Sequence, residues 1–325
     1  MNEKFEPLRF AHLPTPLEHL SRLLNREDGP DLWIKRDDQT GLAFGGNKTR
    51  KLEYLLADAL NIGARTLITR GAIQSNHCRQ TAAAAARTGL NCTLVLTGDP
   101  PEEITGNVLL DELLGALIVW TSGNDPETVM HQTFGEAQER GLKPYLIPYG
   151  GSNHLGVLAY AEAMQEVIQQ GFSGDRIVLA SSSGGTQAGL CLGAALYGFE
   201  GKITGISVDL PAGELTEIIT KLIETTSSWL DVNVQIHEGT VEVNDAYLGE
   251  GYGVVGEIES GAIDAFAKKE GILLDPVYTA RAAGGMLDMI HRGEIESDEK
   301  VLFWHTGGTP AIFAYGEEIT VESSQ

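Results

Sequence analysis

The stretch RIVLASSSGGTQAGLCLGAALYG, residues 176–198, contains one complete unit of the fold. Its first five residues, RIVLA, form a short apolar run typical of a buried strand, and TQAGLCLGAALYG is a longer apolar run suited to a packed helix. The serines and glycines between them allow a tight change of direction. A strand followed by a turn and a helix is the repeating unit of parallel sheets that are covered by helices.

The same alternation continues on both sides of this unit. Upstream, the strand patterns TLIT, CTLVL, ALIVW and PYLIPY are each followed by an amphipathic helical run, and downstream KITGISVDL is followed by another. The chain has no short-period repeat, low-complexity tract or long linker. We therefore predict an α/β fold with parallel-rich sheets covered by helices.

Composition and charge limit the classes of function. The 325 residues carry 23 Lys and Arg against 45 Asp and Glu, a net charge of −22, so nucleic acid and anionic membranes are poor partners. The three cysteines, Cys78, Cys92 and Cys191, have neither disulfide nor metal-site spacing and favour a reducing compartment. The N-terminus has no signal-peptide pattern, and no apolar run is long enough to span a membrane. We expect a cytoplasmic protein without a metal.

Ligands of such sheets bind beyond the carboxyl ends of the strands, where glycine-rich turns open into helices. In the turn SSSGGTQAG, residues 181–189, glycines let backbone amides approach an anion, and the helix N-terminus adds partial positive charge. A phosphate would fit there without a lysine in the loop. An ordinary strand-to-helix turn with a serine cap fits the same string, and the string alone does not separate the two interpretations.

A second turn, GAIQSNHCRQ at residues 71–80, follows the strand pattern TLIT. Ser75, Asn76 and the amide of His77 lie where a helix N-terminus would hold a carboxylate. Plain capping of the helix by Ser75 or Asn76 is the commoner arrangement. His77 has no acidic residue nearby in the sequence, so we interpret it as a backbone contributor rather than a general base.

Two further turns would complete a cleft. PYGGSNHLG, residues 148–156, is a glycine pair before a helix and would form one wall. HTGGTPA, residues 305–311, follows the strand pattern VLFW. Thr306 would therefore lie at the carboxyl end of a strand and face the cleft.

A lysine lies in the glycine-rich segment GLAFGGNKTRKLEYL, residues 41–55. Residues 41–46 have the glycine spacing of a nucleotide-binding loop, but Asn47 is inserted before Lys48, which disfavours that interpretation. As an amine that forms a Schiff base, Lys48 would need a cofactor carbonyl beside it and an environment that allows its neutral form. A separate phosphate site and carboxylate site would together suit pyridoxal 5′-phosphate and an amino acid.

Five motifs occur in the order seen in one enzyme family: GGNKTRKLEYL, GAIQSNHCRQTAA, SSSGGTQAG, LLDPVYTA and HTGGTPA. From Pro14 to Gly316 the chain resembles the family of D-cysteine desulfhydrases and 1-aminocyclopropane-1-carboxylate (ACC) deaminases, pyridoxal-phosphate enzymes of the tryptophan-synthase-β fold, also called fold type II. The resemblance implies two lobes, with residues 1–50 and 161–325 forming a larger cofactor-binding domain and residues 51–160 a smaller one. It also implies an active site in the cleft between them and a homodimer.

The resemblance assigns a role to each motif residue. Lys48 would bind the cofactor and take the α-proton, while Lys51 would begin the next helix, solvated or paired. Tyr278 would lie against the cofactor ring, and Tyr252 would line the substrate side. The remaining contacts are Asn76 to the pyridine 3′-oxygen, Thr306 to the cofactor, Ser183, Gly184, Gly185 and Thr186 to the phosphate, and Ser75, Asn76, His77 and Thr279 to the substrate, with Ser75 also placed to relay protons.

Two positions separate the branches of this family. Ring-opening deaminases resemble PVYEG and HLGG, whereas this chain has Thr279 and Thr306 there, as in the desulfhydrase branch. A carboxylate at the pyridine nitrogen keeps the ring protonated, while a hydroxyl leaves it neutral, and expelling a β-thiolate needs less electron withdrawal than breaking a ring C–C bond. We therefore expect a carbon–sulfur lyase acting on D-cysteine, with ACC deaminase as an alternative.

A third branch also shares features with this chain. The segments FAHLPTPLEHL, ITGNVLLDELLGA and AYLGEGYG look closer to L-cysteate sulfo-lyases, which release sulfite. A sulfonate substrate would need an extra cation, and Arg70, just before GAIQSN, is one candidate because its planar fork suits a sulfonate. Pairing of Arg70 with an acid of this acidic protein is the preferred interpretation.

Overall fold

The computed structural model describes residues 6–24, 29–235 and 239–319. Its strands are β1 (Leu17–His19), β2 (Asp31–Arg36), β3 (Thr66–Gly71), β4 (Asn91–Leu96), β5 (Leu117–Trp120), β6 (Pro144–Leu146), β7 (Arg176–Ser181), β8 (Lys202–Ser207), β9 (Glu242–Asn244) and β10 (Lys300–His305). Its α-helices are α1 (Lys48–Asn61), α2 (Asn76–Thr88), α3 (Gly106–Leu113), α4 (Pro126–Glu139), α5 (His154–Gln169), α6 (Gly185–Tyr197), α7 (Ala212–Leu230), α8 (Glu257–Glu270), α9 (Thr279–His291) and α10 (Gly316–Ile319). Short 3₁₀ turns occupy Asp37–Gln39, Leu42–Phe44, Tyr149–Gly151 and Thr309–Ala314.

These strands form two sheets. The larger has the order β1-β2-β10-β7-β8-β9, and only the β1–β2 pairing within it is antiparallel. The smaller has the order β5-β4-β3-β6 and is parallel throughout. The predicted α/β fold with parallel-rich sheets is therefore confirmed, and the strand at residues 176–181 lies inside the larger sheet.

Helices cover both faces of the larger sheet, as alternate side chains of β10 show. Val301 and Phe303 pack into a core with Phe266 of α8, whereas Trp304 packs on the opposite face near Tyr160 of α5. This alternation follows from the two-residue period of a strand, and a sheet buried on both faces needs apolar residues at every position. The strand pattern VLFW therefore became a central strand.

The smaller sheet lies in the chain between the two parts of the larger one. Its strands fall within residues 66–146, whereas the larger sheet uses strands before residue 37 and after residue 175. The predicted domain boundaries at residues 50 and 160 fall inside α1 and α5, which continue across them without a break. The division into domains at those residues stays a prediction.

A buried ionic network, here called the Asp37 network, joins β2, α1 and α5. Arg50 Nη2 donates to Asp37 Oδ1 and Glu166 Oε1, both at 2.8 Å, and Lys35 Nζ donates to Glu166 Oε1 at 2.5 Å. Asp37 Oδ2 also accepts from Tyr160 and Trp304, at 2.6 and 2.9 Å. The network anchors the first turn of α1.

Within the described parts of the chain, no helix is long and apolar enough to cross a membrane. No cluster of three or more His, Cys, Asp and Glu among the same residues could hold a metal ion.

Candidate active site

A cavity opens at the carboxyl ends of β3, β7 and β10 and encloses about 590 Å³ of empty space, part of it open to solvent. Turns from both sheets meet there because parallel strands present their carboxyl ends at one edge. The residues that line it are Asn47, Lys48, Ser75, Asn76, His77, Tyr149, Gly150, Ala180, Ser181, Ser182, Ser183, Gly184, Thr186, Tyr278, Thr306 and Gly307. The four predicted turns all contribute.

Lys48 is the first residue of α1, and its remaining exposure faces the cavity. The preceding Gly46 has φ of 126°, and a Cβ there would lie 2.4 Å from Gln80 Nε2, so only glycine allows this approach. The amide of Asn47 donates to the carbonyl of Thr306 at 2.8 Å. Burial lowers the pKa of Lys48 to about 8, which makes a neutral amine accessible near neutral pH.

Lys51 lies one turn further along α1 and is fully buried. Its Nζ donates to the carbonyl of Gly150 at 3.2 Å and to Ser152 Oγ at 3.4 Å, and it pairs with no carboxylate among the described residues. Burial and the charge of Lys48 place its pKa well below the usual lysine value. The expectation that Lys51 would be solvated or paired is therefore wrong.

The N-terminus of α6 forms the adjoining end of the cavity. Gly184 has φ of 75°, and no side chain caps the helix. The amide of Gly185 donates to the carbonyl of Ser183 at 3.0 Å, so the amides that follow it in the first turn are the ones available to a ligand. Gly185 does not line the cavity, but a Cβ there would lie 2.4 Å from Ser152 Oγ and 3.0 Å from Lys51 Nζ. The missing side chain thus lets Lys51 and Ser152 approach the helix end. An uncapped helix N-terminus with a buried cation beside it suits a phosphate.

The N-terminus of α2 borders the cavity on another side. Ser75 is the N-cap, and its Oγ accepts from the amide of Cys78 at 3.2 Å. The Asn76 amide side chain lines the cavity, and its Oδ1 accepts from Asn107 at 3.1 Å. Free backbone amides at a helix start suit a carboxylate. The predicted carboxylate-binding turn is thus in the same cavity as Lys48.

His77 is buried in the cavity wall, in a neutral form. Burial, Lys48 and Lys51 together place its pKa well below the usual histidine value. Its Nε2 lies 2.9 Å from Thr69 Oγ1, whose own hydrogen is donated to Ile147, so Nε2 is the donor in that pair. This neutral, buried imidazole, which Thr69 orients, agrees with the interpretation of His77 as a backbone contributor rather than a general base.

A pair of tyrosines lies at the cavity, and only one of them lines it. Tyr278 lines it, and its hydroxyl lies 2.5 Å from the hydroxyl of Tyr252, with the rings edge to face. Tyr252 lies behind Tyr278 and is not part of the lining, so the predicted substrate contact would be indirect. Burial raises the pKa of both phenols, which keeps them protonated at neutral pH.

Thr306 and Thr279 occupy different environments. Thr306 lines the cavity, and its hydroxyl makes no hydrogen bond to any residue that the structure describes. Thr279 is fully buried, and its hydroxyl bonds Asp275, which also caps the start of α9. The placement of Thr279 therefore does not support the predicted substrate contact, because its hydroxyl is already used inside the protein.

Arg70 also lies outside the cavity. Its Nε donates to Glu127 Oε2 at 2.6 Å, and its guanidinium lies 4.7 Å from the ring centre of Tyr149. The preferred interpretation, pairing with an acid, agrees with this geometry. Tyr149 itself lines the cavity, although the sequence analysis did not single it out. The glycine pair that follows it was the only sequence feature that predicted this wall.

Comparison with known proteins extends these observations. The family described as "Pyridoxal-phosphate dependent enzyme" matches residues 8–307. A solved structure described as an ACC deaminase homologue is 39% identical, with a TM-score of 0.90 over 97% of this chain and 96% of the other. The processed form of threonine deaminase isoform 2 from Solanum lycopersicum is 16% identical, with a TM-score of 0.68 over 95% and 83% of the two chains, and shows the fold alone.

The cavity fits the cofactor of that family. Lys48 offers an amine whose pKa of about 8 leaves a neutral fraction near physiological pH. The uncapped start of α6 offers an anion site at the same cavity, and Lys51, which does not itself line the cavity, lies beside Ser152 next to that helix end. An aldehyde and a phosphate on one small molecule would meet these two groups together. The chain belongs to the pyridoxal-phosphate dependent enzymes of fold type II, and pyridoxal 5′-phosphate is its cofactor.

Proposed function

We propose that the protein is a carbon–sulfur lyase that converts D-cysteine and water to pyruvate, ammonia and sulfide. One observation carries this choice: none of the described residues lining the cavity is acidic, and the hydroxyl of Thr306 is free to meet the cofactor. A hydroxyl leaves the pyridine nitrogen neutral, whereas a carboxylate would keep it protonated. Loss of a thiolate is the less demanding of the two eliminations, so a weaker electron sink suffices.

Bound pyridoxal phosphate would supply an aldehyde for the substrate amine and an electron-withdrawing ring for the α-carbon. Lys48 Nζ is the base that takes the α-proton, and its lowered pKa keeps the neutral form populated at working pH. The start of α6, with Lys51 beside it, would hold the phosphate and so fix the position of the reacting carbon relative to Lys48.

The substrate carboxylate is bound at the N-terminus of α2. The Ser75 hydroxyl accepts from the amide of Cys78, so its own hydrogen is free to donate to a carboxylate oxygen. The imidazole of His77 is neutral, so it adds no positive charge beside this carboxylate site. This site orients the amino acid so that its α-hydrogen faces Lys48.

The Tyr278 hydroxyl is the proton donor for the departing sulfur. Its raised pKa keeps it protonated, and Tyr252 behind it supplies a second hydroxyl in contact with the first. A proton passing from Tyr278 to the thiolate gives hydrogen sulfide, and the remaining three-carbon fragment adds water to give pyruvate and ammonia. The proton that Lys48 took from the α-carbon then returns to the Tyr278 oxygen, so both groups regain their starting form and the net reaction consumes one D-cysteine and one water.

ACC deaminase is the second candidate, because a chain described as an ACC deaminase homologue is 39% identical. Cysteate sulfo-lyase is disfavoured by the cavity. Its sulfonate would need a cation besides Lys48, and Arg70 is held by Glu127 and Tyr149. No arginine lines the cavity among the residues that the structure describes.

The test is a panel of substrates with the purified holoenzyme: D-cysteine, L-cysteine, L-cysteate, β-chloro-D-alanine and ACC. We expect equal amounts of pyruvate and sulfide from D-cysteine. Production of 2-oxobutyrate from ACC with no sulfide from D-cysteine would establish the second candidate. Sulfite from L-cysteate as the main product would overturn the argument from the cavity cations.

We further propose that the enzyme acts in the cytoplasm as a homodimer on a small amino acid, independently of nucleic acid and membranes. The family resemblance and the three buried free cysteines support this. Sedimentation equilibrium of the holoenzyme would test the subunit number, and a monomer would contradict it.

A further inference from the structure

The segment ITGNVLLDELLGA contributes a residue that the reaction leaves unexplained. Asn107, the second residue of α3, is fully buried and contacts the segment around Ser75. Its backbone amide donates to Gln74 Oε1 at 2.7 Å, and its Nδ2 donates to the carbonyl of Gln74 at 2.9 Å and to Asn76 Oδ1 at 3.1 Å. It does not line the cavity.

These contacts determine the orientation of the Asn107 side chain. Its Nδ2 carries two hydrogens, and both are used by acceptors, namely the carbonyl of Gln74 and Asn76 Oδ1. The reverse orientation would place Asn107 Oδ1 against two other acceptors. In the observed orientation, Asn107 Oδ1 is buried without a hydrogen-bond partner among the described residues, which costs free energy. The two bonds that Nδ2 donates therefore explain why an amide side chain occupies this position.

The orientation of Asn107 in turn determines that of Asn76. Because Asn76 Oδ1 accepts from Asn107, the amide nitrogen of Asn76 lies on the other side, toward Gly308, where a Cβ would be 2.8 Å from Nδ2. Asn76 Nδ2 makes no hydrogen bond to the described residues and lies on the same cavity as Lys48. It is therefore a donor that awaits an acceptor on a ligand.

We propose that Asn107 is a positioning residue that holds the amide of Asn76 so that Nδ2 donates to the phenolic oxygen of bound pyridoxal phosphate. That oxygen neighbours the aldehyde carbon that joins Lys48, so it lies near the lysine when the cofactor is bound. A hydrogen bond to an ionised oxygen is among the stronger ones. Its geometry depends on a residue that touches neither cofactor nor substrate.

The experiment uses the visible absorbance of the holoenzyme and its affinity for pyridoxal phosphate. Asn107→Ala removes the donor, and Asn107→Asp places an acceptor against Asn76 Oδ1, which turns that amide around. We expect both variants to shift the pH dependence of the visible absorbance and to raise the apparent Kd of the cofactor about 10-fold. Asn76→Ala should do the same.

The double variant Asn76→Ala with Asn107→Ala separates positioning from a general structural role. If Asn107 acts through Asn76, its change adds nothing to the spectrum or the Kd once Asn76 is alanine. Val108→Ala is the matched control, because Val108 is the next residue of α3 and equally buried. It should lower the Tm without moving the spectrum.

Three results would overturn the proposal. One is an unchanged spectrum and Kd in folded Asn107→Ala. Another is a full Asn107 effect in the Asn76→Ala background. The third is the same spectral shift in Val108→Ala, which would assign the effect to packing of α3. The alanine variants carry the test if the buried carboxylate of Asn107→Asp prevents folding. The proposal does not depend on which amino acid is the substrate.

Discussion

The first turn of helix α1 carries two kinds of basic side chain. Arg50 contacts Asp37 and Glu166, and the two carboxylates raise its pKa above the usual arginine value. Lys48 and Lys51 have no carboxylate partner among the described residues, and burial lowers the pKa of both. The same helix turn thus contains a compensated charge on one side and two uncompensated amines on the other.

The difference separates structural from functional charge. A buried cation that is fully paired contributes to holding the elements together, and removing one member leaves the other charges exposed to a low dielectric. An unpaired buried amine lowers the stability of the cofactor-free protein. Such an amine is kept at a functional site, where a bound ligand compensates for its burial. The helix face toward the Asp37 network is therefore structural, and we expect the face toward the cavity to bind the cofactor.

The largest effect is expected for Lys48, on the face of α1 toward the cavity. Lys48→Ala removes both the amine that joins the cofactor and the base, so we expect the rate of 2-oxo acid formation to fall by on the order of 10³-fold or more. The far-ultraviolet circular dichroism should be unchanged, because Lys48 is only partly buried. Appreciable turnover by the folded variant would assign the base elsewhere.

The next largest effect is expected for Arg50, on the face of α1 toward the Asp37 network. Arg50→Met leaves Asp37 and Glu166 buried with fewer donors, so we expect the free energy of unfolding to fall by about 3–5 kcal/mol, measured by urea denaturation. Arg292→Met is the control, since Arg292 is 55% exposed and pairs with Asp288 and Glu294 at the surface. It should cost about 1 kcal/mol or less. Equal losses would remove the distinction between the two arginines.

Lys51→Met should give the opposite pattern from Arg50→Met. Loss of the buried ammonium beside Ser152 and α6 should weaken pyridoxal phosphate binding by about 10- to 100-fold. The cofactor-free variant should be at least as stable as the wild type, because a buried amine whose ionisation is disfavoured has been replaced by an apolar side chain. Unchanged affinity with lower stability would place Lys51 in the structural class with Arg50.

A pH dependence of the free energy of unfolding is also expected in the cofactor-free protein. Lys48 has a folded pKa of about 8, below its unfolded value of about 10.4, so between these values the unfolded chain binds a proton that the folded chain lacks. Stability from this group therefore rises with pH across that window. Lys48→Met should be more stable than the wild type at pH 7, with the advantage shrinking from about pH 8 upward.

Urea unfolding at several pH values measures this difference. Lys202→Met, at an exposed position of β8, controls for the loss of one positive charge. A difference between Lys48→Met and the wild type that stays constant from about pH 7 to 10 would contradict a lowered pKa for Lys48.

Sequence patterns located much of this site because its turns are local. The strand-turn-helix units place Ser75, Ser183 and Thr306 at strand or helix ends whatever the rest of the chain does, and these residues do line the cavity. Lys51 lay one turn from Lys48 on a predicted helix, so the i, i+3 spacing could have indicated that both share a face. The sequence could not show that no carboxylate would reach it.

Other residues depended on contacts between distant parts of the chain. Thr279 was expected at the substrate, but its hydroxyl bonds Asp275 inside the wall. Tyr252 was expected on the lining, but it lies behind Tyr278. Asn107 reaches Asn76 from a separate helix, and no local pattern connects them.

By itself, the sequence determined the parallel α/β architecture, which follows from hydrophobic period and from backbone geometry over a few residues. It also predicted glycine-rich anion turns and, through the family resemblance of its motifs, Lys48 as the cofactor lysine. The tertiary structure alone decided which polar groups have partners: Arg50 is compensated by Glu166, more than a hundred positions away, whereas Lys51 is compensated by nothing in the described protein. Burial and pairing are set by all the elements that pack around a group, so no single segment contains that information.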